Sequence, residues 1–209
     1  MRAAPRLLLR AGYRSMPWRN GAGTTLEIAR APASGDDFDW RLSLATVAAS
    51  GPFSAYAGYE RLVALASGPG FTLSVGAQPP ATLAAAGESL VFPGAAATRC
   101  ELIAGECLDL SLIVRQPGRV LGVERIAVDA GAVALPLAAP LAAVFCLTGG
   151  AACAPAGRAP SAALALAAGD TLLVPDGTGD WSANPAEFAP ALLLVLRWQA
   201  AGETTKIGA

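Results

Sequence analysis

Apolar and polar positions along the 209 residues alternate in short runs, punctuated by glycine and proline. Trp40, Leu42, Leu44 and Thr46 alternate with Arg41, Ser43, Ala45 and Val47, and this period of two predicts a β-strand. Residues 62–67 and 71–75 read as two more strands, joined by the turn signal Gly68-Pro69-Gly70. Residues 87–94 predict a turn, a strand and a Pro-Gly stop, and residues 169–175 repeat that grammar. Residues 108–114 and 192–198 each read as an apolar closing strand. No stretch carries a long, capped helical pattern. Short strands with Gly/Pro turns and no helices predict an all-β fold, a sandwich or a barrel.

The pattern occurs twice. Adding 82 to a residue number takes Leu65 to Leu147, Gly68 to Gly150, Gly87 to Gly169 and Pro93 to Pro175, and it takes Leu110, Leu112 and Arg115 to Leu192, Leu194 and Arg197. Matching alanine and leucine is cheap in this composition, whereas matching Gly, Pro and Arg without a gap is not. The expected organisation is two structural copies, residues 1–118 and 119–209, forming one compact unit. Within the repeat, G-D-x-L-x-V-P resembles the strand-turn element of cupins, whose metal-binding members often carry a histidine soon after the proline. Here Gly94 and Asp176 follow, and the chain has no histidine.

That absence excludes Ser-His-Asp and Cys-His catalytic centres and any imidazole-based metal site. The four cysteines form two C-x6-C pairs, too widely spaced for a zinc knuckle, so buried reduced thiols are expected and no metal or cofactor is assigned. With 15 basic against 16 acidic residues, the net charge of -1 provides no global field for nucleic acid or an anionic membrane. Mean hydropathy is +0.46. The longest apolar stretch, residues 132–147, is broken by Pro136 and Pro140 and falls short of the ~20 residues a spanning helix needs. The N-terminus has only a three-leucine run between charges, so a soluble, unexported, cytoplasmic protein is expected.

Three polar concentrations remain. The closing strands differ between copies: Asp109 and Ser111 become Ala191 and Leu193. Residues two apart share a strand face, so a polar face in the first copy is apolar in the second. Either that face lines a site, or it meets solvent in one copy and a partner in the other. The segment from Trp18 through Asn20, Gly21, Gly23, Thr24 and Thr25 to Glu27 lacks the G-x-G-x-x-G and following helix of a dinucleotide site. It reads either as an Asn-Gly turn or as a tight backbone bend presenting Asn20 and Thr24. Arg41 and Ser43 share a face, and Arg41, Arg61 and Arg115 converge if their strands are neighbours. Converging guanidinium groups suit a carboxylate or phosphate. Their alternative is internal pairing with Glu27, Asp109 or Glu60.

Together these segments resemble the HutD/Ves family. Its opening pattern W-[KR]-N-G-x-G-x-T-x-E-I is met by Trp18, Arg19, Asn20, Gly21, Gly23, Thr25, Glu27 and Ile28. W-R-x-S-x-A-x-V is met by Trp40, Arg41, Ser43, Ala45 and Val47, and G-P-F-S by residues 51–54, followed by Gly58 and Arg61. An F-x-G element falls on Phe92 and Gly94, and D-L-N-x-x-x-R on Asp109, Leu110, Ser111 and Arg115. Ala95 stands where the family usually has an acid, and Ser111 where it usually has Asn. The resemblance covers residues 16–116 closely and the remainder in architecture. It implies a double cupin in a bacterial cytoplasmic protein, linked to histidine utilisation in a controlling role, with no established catalytic activity. That pathway's intermediates include the carboxylates urocanate and formylglutamate.

The expected function is therefore a small-molecule binding protein with a regulatory role. The resemblance and the residues together nominate Asn20, Thr24, Glu27, Arg41, Ser43, Arg61, Asp109, Ser111 and Arg115 as ligand-binding, with no catalytic residue and no metal ligand. A carboxylate is the expected partner, nucleic acid and membrane are not, and a homodimer is compatible. Two alternatives stand beside it: a metal-independent isomerase or hydrolase using Glu27 or Asp109 as base, and a protein-interaction module with no ligand.

Overall fold

The computed structural model describes residues 4–17, 23–34, 37–157, 162–176, 179–186 and 190–201. Strands dominate, with a short 3-10 turn at Arg10–Gly12. None of the described residues forms a helix long and apolar enough to cross a membrane. The alternation at Trp40–Val47 forms the strand it predicts. The closing strands run Cys107–Arg115 and Ala191–Gln199, slightly longer than their apolar runs. At the Gly68-Pro69-Gly70 turn, both glycines have φ of 107°, a region that a side chain disfavours.

The chain divides into two compact units. Of the described residues, one comprises Tyr13–Val120 with 200–201, and the other comprises Leu121–Gln199 with 4–12. The first pairs a six-stranded sheet with a four-stranded one. The six-stranded order is Arg14–Pro17, Thr24–Ala31, Trp40–Val47, Cys107–Arg115, Tyr59–Ser67 and Ser89–Pro93. The four-stranded sheet runs Gly51–Pro52, Thr98–Leu102, Phe71–Val75 and Ala81–Leu83. The second unit pairs a five-stranded sheet with a four-stranded one. Each unit is cupin-like, two facing antiparallel sheets rather than a closed barrel.

The first strand corrects the expected boundary. Arg6–Leu8 pairs antiparallel with Thr171–Pro175, so the chain start completes the second sheet system, not the first. Leu7 packs into that unit's core. The bond is backbone to backbone at a sheet edge, which leaves almost no side-chain signature.

The repeat also places matching caps. Glu88 Oε2 accepts the backbone N–H groups of Ala84 and Ala85 at 2.7 and 3.0 Å. Asp170, 82 positions on, accepts Ala167 N–H at 3.0 Å and Arg10 N–H at 2.8 Å. The shared acid in G-[DE]-x-L thus satisfies turn amides in both units.

Candidate functional site

The six-stranded sheet inverts ordinary amphipathicity. On its central strands Leu42, Leu44, Leu62, Leu110 and Leu112 are buried on one face. The opposite face, turned to the interior between the two sheets, carries Arg41, Ser43, Arg61, Asp109 and Ser111. Register aligns this face in rows. Ile113 stands between Arg41 and Arg61, Ser111 between Ser43 and Val63, and Asp109 between Ala45 and Leu65. Beyond the polar rows the interior is apolar, with Val47, Val63, Leu65, Phe71, Leu73 and Phe92 in one cluster. The polar end opens into a cavity of about 800 Å³.

The guanidinium groups are set by aromatic neighbours. Arg41 Nη2 donates to the Tyr56 hydroxyl at 2.8 Å, and Arg61 Nη1 donates to the Ser54 carbonyl at 2.9 Å. The Tyr56 ring lies 5.5 Å from Arg41 and 5.3 Å from Arg61, and Phe53 and Phe92 each lie 5.4 Å from Arg61. Such cation–π contacts hold the cations in place while leaving N–H edges free.

Those edges are unmet. Among the described residues, Arg41 Nε, Arg61 Nε, Asp109 Oδ1 and Ser111 Oγ are buried without a hydrogen-bond partner. Arg61, Asp109 and Ser111 retain only 6%, 4% and 5% of their exposure. Buried polar groups are nearly always satisfied, so this concentration around one cavity marks a place for a ligand or water. Burial pushes the Asp109 carboxyl up to about 7, opposed by the Arg61 charge and by the hydrogen bond from the Ala45 backbone. Burial likewise pulls Arg61 below its usual value, and the Asp109 charge resists that.

Of the nominated residues, Arg41, Ser43, Arg61, Asp109 and Ser111 line the cavity. Three do not. Register turns Thr25, not Thr24, to the interior: Thr25 sits opposite Ala45 and Thr24 opposite Pro17. Glu27 shares the row of Ser43 but is tied to Arg14 at 3.1 Å and Arg30 at 4.0 Å. Arg115 donates to the Phe38 carbonyl at 3.1 Å and pairs with Asp37 and Asp39 at 3.4 and 3.7 Å, so it fastens a loop. Asn20 lies outside the described residues.

Tyr56, Phe53, Ser54 and Thr25 are cavity residues that the nomination lacked. Phe53 and Ser54 belong to the G-P-F-S motif, which pointed to them. Tyr56 had no signal beyond being aromatic between two motifs. Gly94 explains the F-x-G element: a Cβ there would clash with the carbonyl oxygens of Tyr56 and Tyr59. Tyr56 N–H and the Gly94 carbonyl bond at 2.7 Å, locking the Tyr56 turn against the Ser89–Pro93 strand end.

The four cysteines are free and buried. Burial holds the Cys100 and Cys153 thiols near 12 and Cys146 near 11, so these sulfurs stay protonated at neutral pH. Among the described residues, no group of three Cys, Asp or Glu is placed to hold a metal ion.

The HutD family profile matches residues 10–189, and the chain belongs to that family. A Pseudomonas putida protein described as an uncharacterized 21.2 kDa protein in the hutC 3′ region is 43% identical over 108 residues, 51% of this chain and 56% of its own length. Protein Ves of Citrobacter koseri is 48% identical over 58 residues, 26% of this chain and 30% of its own. These matches therefore span little more than half of one curated relative and under a third of the other. Among solved structures, a conserved Pseudomonas aeruginosa PAO1 protein of unknown function superposes with TM-score 0.82 at 32% identity, over 94% of this chain and all of its own. HutD from Pseudomonas fluorescens SBW25 gives 0.72 at 28% identity, over 95% of this chain and 100% of that one. Bacillus subtilis oxalate decarboxylase, at 0.65 and 7% identity over 100% of this chain and 79% of its own, shows the cupin fold alone.

Proposed function

We propose that this HutD-family chain binds a small carboxylate in the first cupin-like unit and acts as a regulatory sensor in histidine utilisation. The observation that carries the reading is the pair Arg41 and Arg61 at one cavity, each with an unmet Nε–H. Guanidinium N–H edges match the two oxygens of a carboxylate, and charge assistance makes such bonds strong. The hutC-region relative and the HutD structure support the link to histidine utilisation. Urocanate and formylglutamate, carboxylates of that pathway, are the first ligands to test.

The experiment is thermal unfolding of the purified protein with urocanate, formylglutamate, histidine and glutamate in turn. A ligand at a hundred times its Kd adds about 2.7 kcal/mol, and each kcal/mol raises the midpoint of a chain this size by about 2–4 °C. One pathway acid shifts the midpoint by several degrees, and Arg61→Ala abolishes the shift while remaining folded. Full affinity in that variant overturns the assignment.

One observation favours a second reading. A buried carboxyl held near 7, as Asp109 is, suits proton transfer at neutral pH. Turnover of a pathway intermediate by the purified protein, lost in Asp109→Asn, would establish an enzyme in place of a binder.

A further inference from the structure

We propose that the cavity selects a singly charged carboxylate that also carries a hydrogen-bond donor, with the carboxylate on Arg41 and Arg61 and the donor on Asp109 Oδ1 and Ser111 Oγ. This deepens the carboxylate-binding reading and rests on it.

The unmet atoms fall into two chemically opposite sets. Arg41 Nε and Arg61 Nε only donate; Asp109 Oδ1, when ionised, only accepts, and Ser111 Oγ does either. The sets are also separated along the sheet. Arg41 and Arg61 flank Ile113, whereas Asp109 is two rows away. Inward residues repeat every ~7 Å along a strand, so the backbone rows lie roughly 13 Å apart. A long guanidinium side chain spans part of that distance, and a compact two-ended molecule suits the remainder. A carboxylate alone fills one end and leaves Asp109 Oδ1 buried and unsatisfied.

Charge narrows the class. The lining holds two cations and one anion, a net of one positive charge when Asp109 is ionised. The neighbouring charges have ion-pair partners, Glu27 in Arg14 and Arg30 and Arg115 in Asp37 and Asp39, although Glu27 Oε2 accepts no hydrogen bond among the described residues. A mono-anion neutralises the cavity. A second carboxylate at the far end would face Asp109 with like charge. The rings of Phe53 and Tyr56 in the lining favour a flat body between the two ends.

The test is calorimetric titration at about pH 8, where Asp109 is mostly ionised. Three probes are used: 3-(pyrrol-2-yl)propanoate, its N-methyl derivative, which lacks only the donor, and terephthalate, a flat dianion. The wild-type protein is expected to bind the N–H acid at least about tenfold more tightly than the N-methyl acid, the range for a hydrogen bond to a charged group. In Asp109→Asn, whose amide oxygen still accepts but carries no charge, that ratio narrows severalfold and terephthalate tightens by roughly tenfold. Ser111→Ala, which keeps every charge, narrows the ratio less. Equal wild-type binding of the two pyrrole acids, or a ratio unchanged in Asp109→Asn with its fold intact by thermal melting, overturns the inference and leaves the carboxylate site standing. If no probe binds, or if binding survives in Arg61→Ala, the carboxylate reading itself falls.

Discussion

The two repeats start from one template and fill their interiors differently. In the second, Ala191, Leu193 and Val195 join Val144, Cys146, Leu172 and Val174 in a continuous apolar cluster. In the first, the matching closing strand presents Asp109, Ser111 and Ile113 to a cavity. Register extends the comparison to a residue that the gapless offset misaligns. Arg61 stands opposite Ile113, and Val144 stands opposite Val195, so Val144 occupies the place of Arg61. One repeat packs its interior with apolar side chains and the other gives up that packing for polar atoms unmet among the described residues.

What the copies share is structural. Arg115 and Arg197 are matched by the repeat, and each fastens to acids, Asp37 and Asp39 in one unit and Glu124 in the other. Glu88 and Asp170 both satisfy turn amides. Arg61, Asp109 and Ser111 occur in one copy only, and all three reach the cavity. Candidate site residues are therefore found by subtracting the repeat, not by reading what it keeps.

A reciprocal exchange puts the contrast under the greatest strain. Leu193→Ser should cost about 3 kcal/mol or more, through lost packing and an unpaired buried hydroxyl, when read by urea unfolding. Ser111→Leu should leave stability unchanged or raised and eliminate carboxylate binding. Equal stability of Leu193→Ser and wild type would mean that Leu193 does not pack into the apolar cluster.

Titration separates the copies next, because the counterpart of Asp109 is an alanine. The folded-state carboxyl sits at about 7 against a reference of 3.8, so the folded chain holds the extra proton between those values. Stability from this group is present at low pH, falls as pH rises from about 4 to 7, and is level above that. The stability of wild type relative to Asp109→Asn should therefore fall by on the order of 2–4 kcal/mol across that window. Parallel stability profiles for the two proteins would show that Asp109 titrates normally.

The smallest effects come from a pair with opposite signs at one repeat position. Gly94→Ala forces a Cβ against two backbone carbonyls and should cost about 2 kcal/mol while displacing Tyr56 and weakening ligand binding. Asp176, its counterpart, has φ of 51°, and Asp176→Gly should gain about 0.5–1 kcal/mol. Thermal melts of both variants sharpen the comparison. Matching signs would mean that the two turns are equivalent despite their different residues.

Much of the fold was legible because strand alternation and Gly/Pro turns are local. Trp40–Val47 formed where its period of two placed it, and the repeat located both closing strands. The candidate site was legible in part. Arg41, Ser43, Arg61, Asp109 and Ser111 stood out by type and motif. Thr24 against Thr25 was decided by which strand face turns inward, and Arg115 by acids on a distant loop.

The sequence by itself determined an all-β chain built twice, a histidine-free chemistry and an asymmetry in polar residues between copies. These are properties of order and composition, and no folding is needed to read them. Tertiary structure alone decided that the polar face of the first copy looks inward. An amphipathic strand shows only that its two faces differ, and which one meets solvent depends on what packs against each. It also decided that the first strand completes the second unit, that Tyr56 sits between two arginines, and that four polar atoms of the cavity-lining residues lie buried without partners among the described residues. Those are relations between segments distant in the chain, and the chemistry of the candidate site is made of them.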